Sequence, residues 1–284
     1  MIMIDPVITA LLAIFAVPFI GAFLVGLDRK LTARMQSRIG PPLLQPIYDV
    51  IKLLHKEPIV VNRVQIICAG LHLIFMVLCV VLLALGQDML MALFILAFST
   101  ISLILGGMSV RSPYSRIGSQ REIMQMLSYE PILILMLVGI YLINDSFMAR
   151  DILASGKPLL LSLPLIFPAF LMVMAIKLQK SPFDFSTSHH GHQEIIKGIT
   201  LEYSGPFLAI LEITHWYEIF LLFFIITMFW ATSIPVGLLI AAVCFFCEIL
   251  LDNIMARLTW PWMLRFMWTV ALGLAVTNVL WLYI

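Results

Sequence analysis

Eight nearly uninterrupted apolar runs, at 6–26, 64–85, 90–107, 123–142, 159–176, 206–230, 236–254 and 262–284, alternate with polar connections of very unequal length. Crossing a hydrocarbon core takes about 20 apolar residues at helical rise. The pattern therefore predicts an all-α integral membrane protein of about eight transmembrane helices, forming one polytopic domain over 1–284. No basic stretch precedes the first run, MIMIDPVITALLAIF, so it reads as a span and not as a removable leader. The first connection has its own periodicity. In PPLLQPIYDVIKLLHKEP, Leu44, Ile47, Val50, Ile51 and Leu54 recur at helical spacing opposite Asp49, Lys52 and Lys56, which predicts an amphipathic helix lying along one membrane face.

Composition supports this picture and charge placement orients it. Hydrophobic residues make up 62% of the chain and charged ones 12%, against about 45–50% apolar in soluble domains. A formal charge of +1 excludes the basic surface that nucleic acid requires. The connections at 27–63, 108–122, 177–201 and 255–261, together with the boundary residue Arg265, hold fifteen of the seventeen Lys and Arg residues. Because Lys and Arg are retained on the cytoplasmic side, these four connections are predicted cytoplasmic and both termini outside. Misreading a single span would scramble that alternation.

Several candidate chemistries lie within the apolar runs. Cys68, Cys79, Cys244 and Cys247 read as small buried hydrophobes; the last two form a CxxC, but no second pair completes a four-ligand metal or iron–sulfur site. No metal or cofactor is expected on this chain. Ionisable groups inside a bilayer are expensive and point to function. Glu130 precedes Pro131 in the fourth run, Glu202 opens the sixth, Glu212, His215 and Glu218 follow at i, i+3 and i+6, and Glu248 and Asp252 stand at i, i+4 in the seventh. Each group lines one helix face, and such rows can pass protons through intervening water. The fifth connection, KLQKSPFDFSTSHHGHQEIIKGITLEYSG, carries Lys177, Lys180, Asp184, His189, His190, His192, Glu194 and Lys197. Its histidines crowd without a spaced ligand set, so the loop reads as a polar docking surface and not as a metal site.

At this level of detail the chain resembles a known family: the H subunit of bacterial NADH:quinone oxidoreductase, its mitochondrial counterpart, and their relatives in membrane-bound hydrogenases. The motifs are DRKLTARMQSRIGP with LQPIYDVIKL (28–53), QREIMQMLSYE (120–130), PFDF (182–185), QEIIKG (193–198) and EYSG (202–205), in order from first span to last. Some segments depart from the quinone-reducing members. GPPLLQP is shorter than their GPNRVGPxGxLQP, Lys177 stands where they carry an acid before PFD, and ARLTWPWMLRF replaces their PRxRxDQ. RIGPP, HHGHQE and RLTWPW look instead like the energy-converting, Ech-type nickel–iron hydrogenases.

The resemblance implies a cofactor-free membrane subunit that anchors a hydrogenase arm whose nickel–iron centre and iron–sulfur clusters sit in partner subunits. Hydrogenase large and small subunits, iron–sulfur subunits and an antiporter-like membrane subunit are the implied partners, in the cell membrane. Ferredoxin-dependent proton reduction would be coupled to H⁺ or Na⁺ translocation. The implied ion path comprises Glu130, Glu202, Glu212, His215, Glu218, Glu248 and Asp252, with Asp49 and Asp184 near its cytoplasmic entrance. Arg29, Arg34, Arg38, Lys180, His189, His190, His192 and Glu194 would dock the arm. Two rival readings are a quinone-site subunit of a reduced complex I and a stand-alone secondary transporter. The latter favours two symmetric halves, which the sequence does not show.

Overall fold

The computed structural model describes residues 5–183 and 197–283. In chain order its helices are α1 (Pro6–Met35), α2 (Gln45–Leu54), α3 (Arg63–Ala84), α4 (Met89–Met108), α5 (Pro113–Asn144), α6 (Ala149–Ser155), α7 (Ile166–Lys177), α8 (Pro206–Met228), α9 (Ile234–Ile254) and α10 (Trp260–Tyr283). Seven of them are long and apolar enough to cross a membrane, and α7 is a shorter apolar helix. No β-strand forms among the described residues; Asp88 and Met148 make one isolated bridge.

Helix ends follow local chemistry. Asp5, Asn62 and Asp88 accept the backbone N–H two residues on and so cap α1, α3 and α4. Proline in the first turn opens α1, α2, α5, α8, α9 and α10, where its missing N–H costs nothing. Pro131 lies inside α5; surrounding helices can tolerate such a break in the hydrogen-bond ladder.

Hydrogen bonds between connections give the up-and-down order. At one end, Met89 N–H donates to Phe147 O and Ala149 N–H to Gln87 O, while Leu160 N–H donates to Phe229 O. At the other, Asn62 Nδ2 donates to Ser109 O, Ile59 N–H to Ser204 Oγ, Gln36 Nε2 to Asn253 Oδ1 and Leu258 N–H to Pro182 O. The second, fourth and sixth connections thus meet at one end, and the first, third, fifth and seventh at the other. That is the alternation of eight crossings, with α7 and the turn before it supplying the fifth.

Two elements differ from the hydropathy pattern. α5 begins at Pro113 and not near 123, because its polar first turns are buried and satisfied: Ser115 Oγ donates to Gly107 O at 2.9 Å and Ser119 Oγ to Ser115 O at 2.8 Å. The run 159–176 is broken into a turn at Leu159–Ser162 and α7 proper. Pro164 lies in the break, and Asn278 of α10 repairs it, accepting from Leu165 and Ile166 N–H at 2.8 and 3.1 Å and donating to Ser162 O at 3.3 Å.

Small residues let helices approach closely. A Cβ added at Gly21 would lie 2.1 Å from Trp216 O, so α1 and α8 touch backbone to backbone there. Around these contacts Met76, Ile132, Met136, Phe170, Met174 and Phe229 are fully buried. Of the apolar face predicted for α2, Val50 packs inward while Leu44, Ile51 and Leu54 are exposed. That outward apolar side suits a helix lying against lipid.

Candidate functional site: a polar cavity inside the bundle

Lys177 ends α7 and is buried, 6% exposed. A buried ammonium needs partners for its charge and its three donors. Its Nζ lies 3.0 Å from Glu218 Oε1 of α8, donates to Thr100 Oγ1 of α4 at 3.1 Å, and sits 4.6 Å above the Tyr129 ring of α5. His215, one turn before Glu218, brings Nδ1 to 3.7 Å from Glu218 Oε2. From α3, His72 presents Nδ1 at 2.8 Å from Ser99 Oγ and 2.9 Å from Ser99 O.

These groups border a cavity of about 110 Å³ whose wall also includes Glu122 and Glu212. Glu212, His215 and Glu218 therefore do share one face of α8, as their spacing requires. The arrangement gathers three carboxylates, two imidazoles and one ammonium, drawn from four helices, around a space large enough for water. Chemically it can hold and pass protons; its one fixed cation is neutralised directly by Glu218.

A second cluster lies on the other side of the same turn. Lys180 Nζ is 2.6 Å from Asp28 Oδ2 of α1 and 3.3 Å from Asp252 Oδ2 of α9, and Ser181 N–H donates to Asp252 Oδ1 at 2.9 Å. Glu248, one turn before Asp252, is 3% exposed, and its Oε2 has no hydrogen-bond partner. Sequence reading of α9 thus placed this acidic pair correctly on one face, but not the cation facing it.

Other predicted residues stand apart. Glu130 is half-buried in α5 and Glu202 half-buried in the turn before α8; neither borders the cavity around Lys177. Asp49 lies on α2, outside the bundle, 2.7 Å from Arg29 Nη1 and 2.9 Å from Gln45 Nε2. Partial burial works against its ionisation, but the Arg29 guanidinium and the Gln45 amide outweigh this and hold its carboxyl below the ordinary value. Arg34 and Arg38 are exposed, and Arg38 donates to Gln36. Asp184, His189, His190, His192 and Glu194 lie outside the described residues.

Two expectations need correction. Lys180, assigned to the docking surface, is drawn inward by Asp28 and Asp252, with a side chain only 11% exposed. Lys177, assigned to the polar loop, is the centre of the cavity. Both misplacements have one cause: hydropathy ends α7 at the first lysine, although partly buried acids on neighbouring helices hold both ammoniums inside. Glu122, Thr100, Tyr129 and His72 were not singled out either. His72 had a usable signal, as a lone imidazole within an apolar run.

Comparison with known proteins gives a consistent result. The sequence model described as NADH dehydrogenase matches residues 8–283. The chain is 29% identical over 286 residues to the NADH-quinone oxidoreductase H subunit of Geobacillus kaustophilus, covering 89% of this chain and 85% of that one. It is 28% identical over 304 residues to the corresponding H subunit of Bacillus mycoides, covering 95% and 90%. Among solved structures, a chain of the membrane-bound sulfane sulfur reductase, an archaeal respiratory membrane complex, matches with a TM-score of 0.89 at 24% identity, covering 98% of this chain and 100% of that chain.

Proposed function

We propose, from the premise that this chain belongs to the NADH dehydrogenase family, that it is the membrane subunit anchoring a hydrogenase arm and supplying the internal step of an ion path. Membership makes it a multi-pass subunit of a complex I-like respiratory oxidoreductase. The hydrogenase assignment is our own reading. It is supported by the RIGPP, HHGHQE and RLTWPW segments and, above all, by Lys177, whose ammonium stands where quinone-reducing members carry an acid.

The observation that carries the ion-path reading is the cavity bordered by Glu122, Glu212, His215 and Glu218 around Lys177. Electrons would run through nickel–iron and iron–sulfur centres in partner subunits, from ferredoxin to protons. This chain's own residues would take up and release protons as the charge in the arm changes. The basic ends of the bundle would face the cytoplasm, with both termini outside.

Purification in mild detergent tests the assembly: copurifying hydrogenase and iron–sulfur subunits support the reading, and quinone reduction by the purified complex would replace it with the quinone-site alternative. Glu212→Gln keeps the shape and removes the titration. It should leave assembly and dye-linked hydrogen production intact while cutting ferredoxin-driven ion uptake in vesicles about tenfold or more. Unchanged uptake would remove Glu212 from the path.

A further inference from the structure

Among the described residues, His72 is the one imidazole of the polar cavity that takes part in none of its ion pairs. It stands midway along α3 and is 8% exposed. The same cavity reaches Thr200, in the turn before α8. The space therefore runs from the end of the bundle that gathers the first, third, fifth and seventh connections to the depth of this ring. A titratable side chain enclosed within an apolar span points to function.

Ser99 of α4 decides which ring nitrogen is available. Its backbone oxygen can only accept, so Nδ1, at 2.9 Å from it, carries the proton. Ser99 Oγ donates its own hydrogen to His72 O at 2.9 Å, so its 2.8 Å contact with Nδ1 is likewise donated by the ring. The neutral ring is thereby held with Nδ1–H toward α4 and a lone pair on Nε2. Nε2 has no hydrogen-bond partner among the described residues and, unlike Glu248 Oε2, is not enclosed; the space that its side chain borders is the polar cavity.

The groups around this space can supply a proton and hold it. α8 presents Glu212, His215 and Glu218, α7 presents Lys177, and α5 presents Glu122 and Tyr129, while α4 carries no titratable residue. Glu218 meets Lys177 through Oε1, but its Oε2 is 3.7 Å from His215 Nδ1, beyond a hydrogen bond, so one carboxylate oxygen stays open to a second cation. We propose, resting on the ion-path reading, that His72 is a proton-holding residue of this cavity, positioned by Ser99. Nε2 takes a proton that the Glu212 carboxyl gives up through cavity water: an N–H bond forms as the acid's O–H bond breaks, leaving a carboxylate. The imidazolium is held by the charge of Glu218. Release reverses the step, Nε2–H giving its proton to water and the ring returning to its Nδ1–H form.

Hydrogen–deuterium exchange at the imidazole C2 position tests this on the unaltered complex in lipid nanodiscs, because that exchange needs both water at the ring and its protonation. Trypsin releases His72 in the peptide 64–111, where it is the only histidine. His72 should take up deuterium at a rate that follows a titration curve as pH is varied. No uptake while the exposed His55 exchanges fully would overturn the proposal. His72→Asn keeps a donor to Ser99 O and removes Nε2. It should cut ferredoxin-driven ion uptake about tenfold, whereas a residue that only clasps α3 to α4 would lose nothing. Native gel mobility checks assembly; if His72→Asn does not assemble, the exchange curve of the unaltered complex decides. Uptake lost in Glu212→Gln but unchanged in His72→Asn would remove His72 alone and leave the ion path standing, and uptake unchanged in both would remove the path with it.

Discussion

Lys177 and Lys180 are three residues apart, yet they build two different kinds of polar site. Lys177 faces a cavity with polar walls, where one ammonium meets one carboxylate, one hydroxyl and one aromatic face while further titratable groups line the space. Lys180 is held between two carboxylates, a closed arrangement, and the space next to it is apolar. The turn that separates them contains Gln179 at φ 53°, in the left-handed region, which redirects the chain. The comparison teaches that a buried charge alone does not make a conduit. The first cluster has room and exchangeable neighbours, and the second has its cation fully engaged.

The largest effect expected is at Lys177. Lys177→Met leaves Glu218 buried without its counter-ion and should destabilise the subunit by ~3–5 kcal/mol, read as a lower thermal unfolding midpoint of the purified complex. Adding Glu218→Leu should recover most of that loss, since an apolar pair of similar volume avoids the stranded charge. Failure of the double variant to recover would mean that the pair matters for more than mutual neutralisation.

At Lys180 the same substitution should cost less, ~2–3 kcal/mol, because Asp28 and Asp252 are partly exposed and water can share their charge. Ion uptake should survive Lys180→Met better than Lys177→Met in vesicles matched for assembled complex. Equal loss of uptake in both would erase the functional distinction between the two clusters.

Two further substitutions sharpen the contrast from outside the clusters. Asn278→Ala removes the acceptor for two backbone N–H groups at the break before α7 and should destabilise by ~2 kcal/mol. Because α7 carries both lysines, it should weaken both sites together. Asp49→Asn, on the exposed α2, should cost less than ~1 kcal/mol at neutral pH. The Asp49 carboxyl is held below its ordinary value in the folded protein, so its contribution is present above that ordinary value and is lost as pH falls through the folded one. The difference between Asp49→Asn and the unaltered protein should therefore vanish in acid, measured as unfolding midpoints across a pH series.

Sidedness is checked separately by cysteine labelling in intact cells. A cysteine at Gln87 should react with an impermeant maleimide from outside, and one at Glu57 only after permeabilisation; the reverse pattern would invert the bundle.

Much of the fold was legible beforehand. The eight runs, the outward-facing α2 and the common face of Glu212, His215 and Glu218 follow from length, periodicity and spacing, which are local properties. The extension of α5 back to Pro113 was not legible, because Ser115, Gly118 and Ser119 read as polar until Gly107 and Ile199 pack against them. Nor was the break before α7 as it stands, since the side chain that satisfies it belongs to α10, more than a hundred residues away.

By itself the sequence determined how many runs can cross, which connections share an end, and that Glu130, Glu212, Glu218, Glu248 and Asp252 lie within helical runs, but not that Glu122 and Lys177 do. A bilayer accepts only runs of a certain length and polarity, and each run declares itself. The partners of those groups were decided only by the tertiary structure. Whether Lys177 and Lys180 point to water or inward depends on Glu218, Asp28 and Asp252, carried on helices distant in sequence, and hydropathy scores a lysine identically in either place. Buried charge is a property of the assembled bundle, because only there do the opposite charges that make it tolerable come to 2.6–3.3 Å from one another.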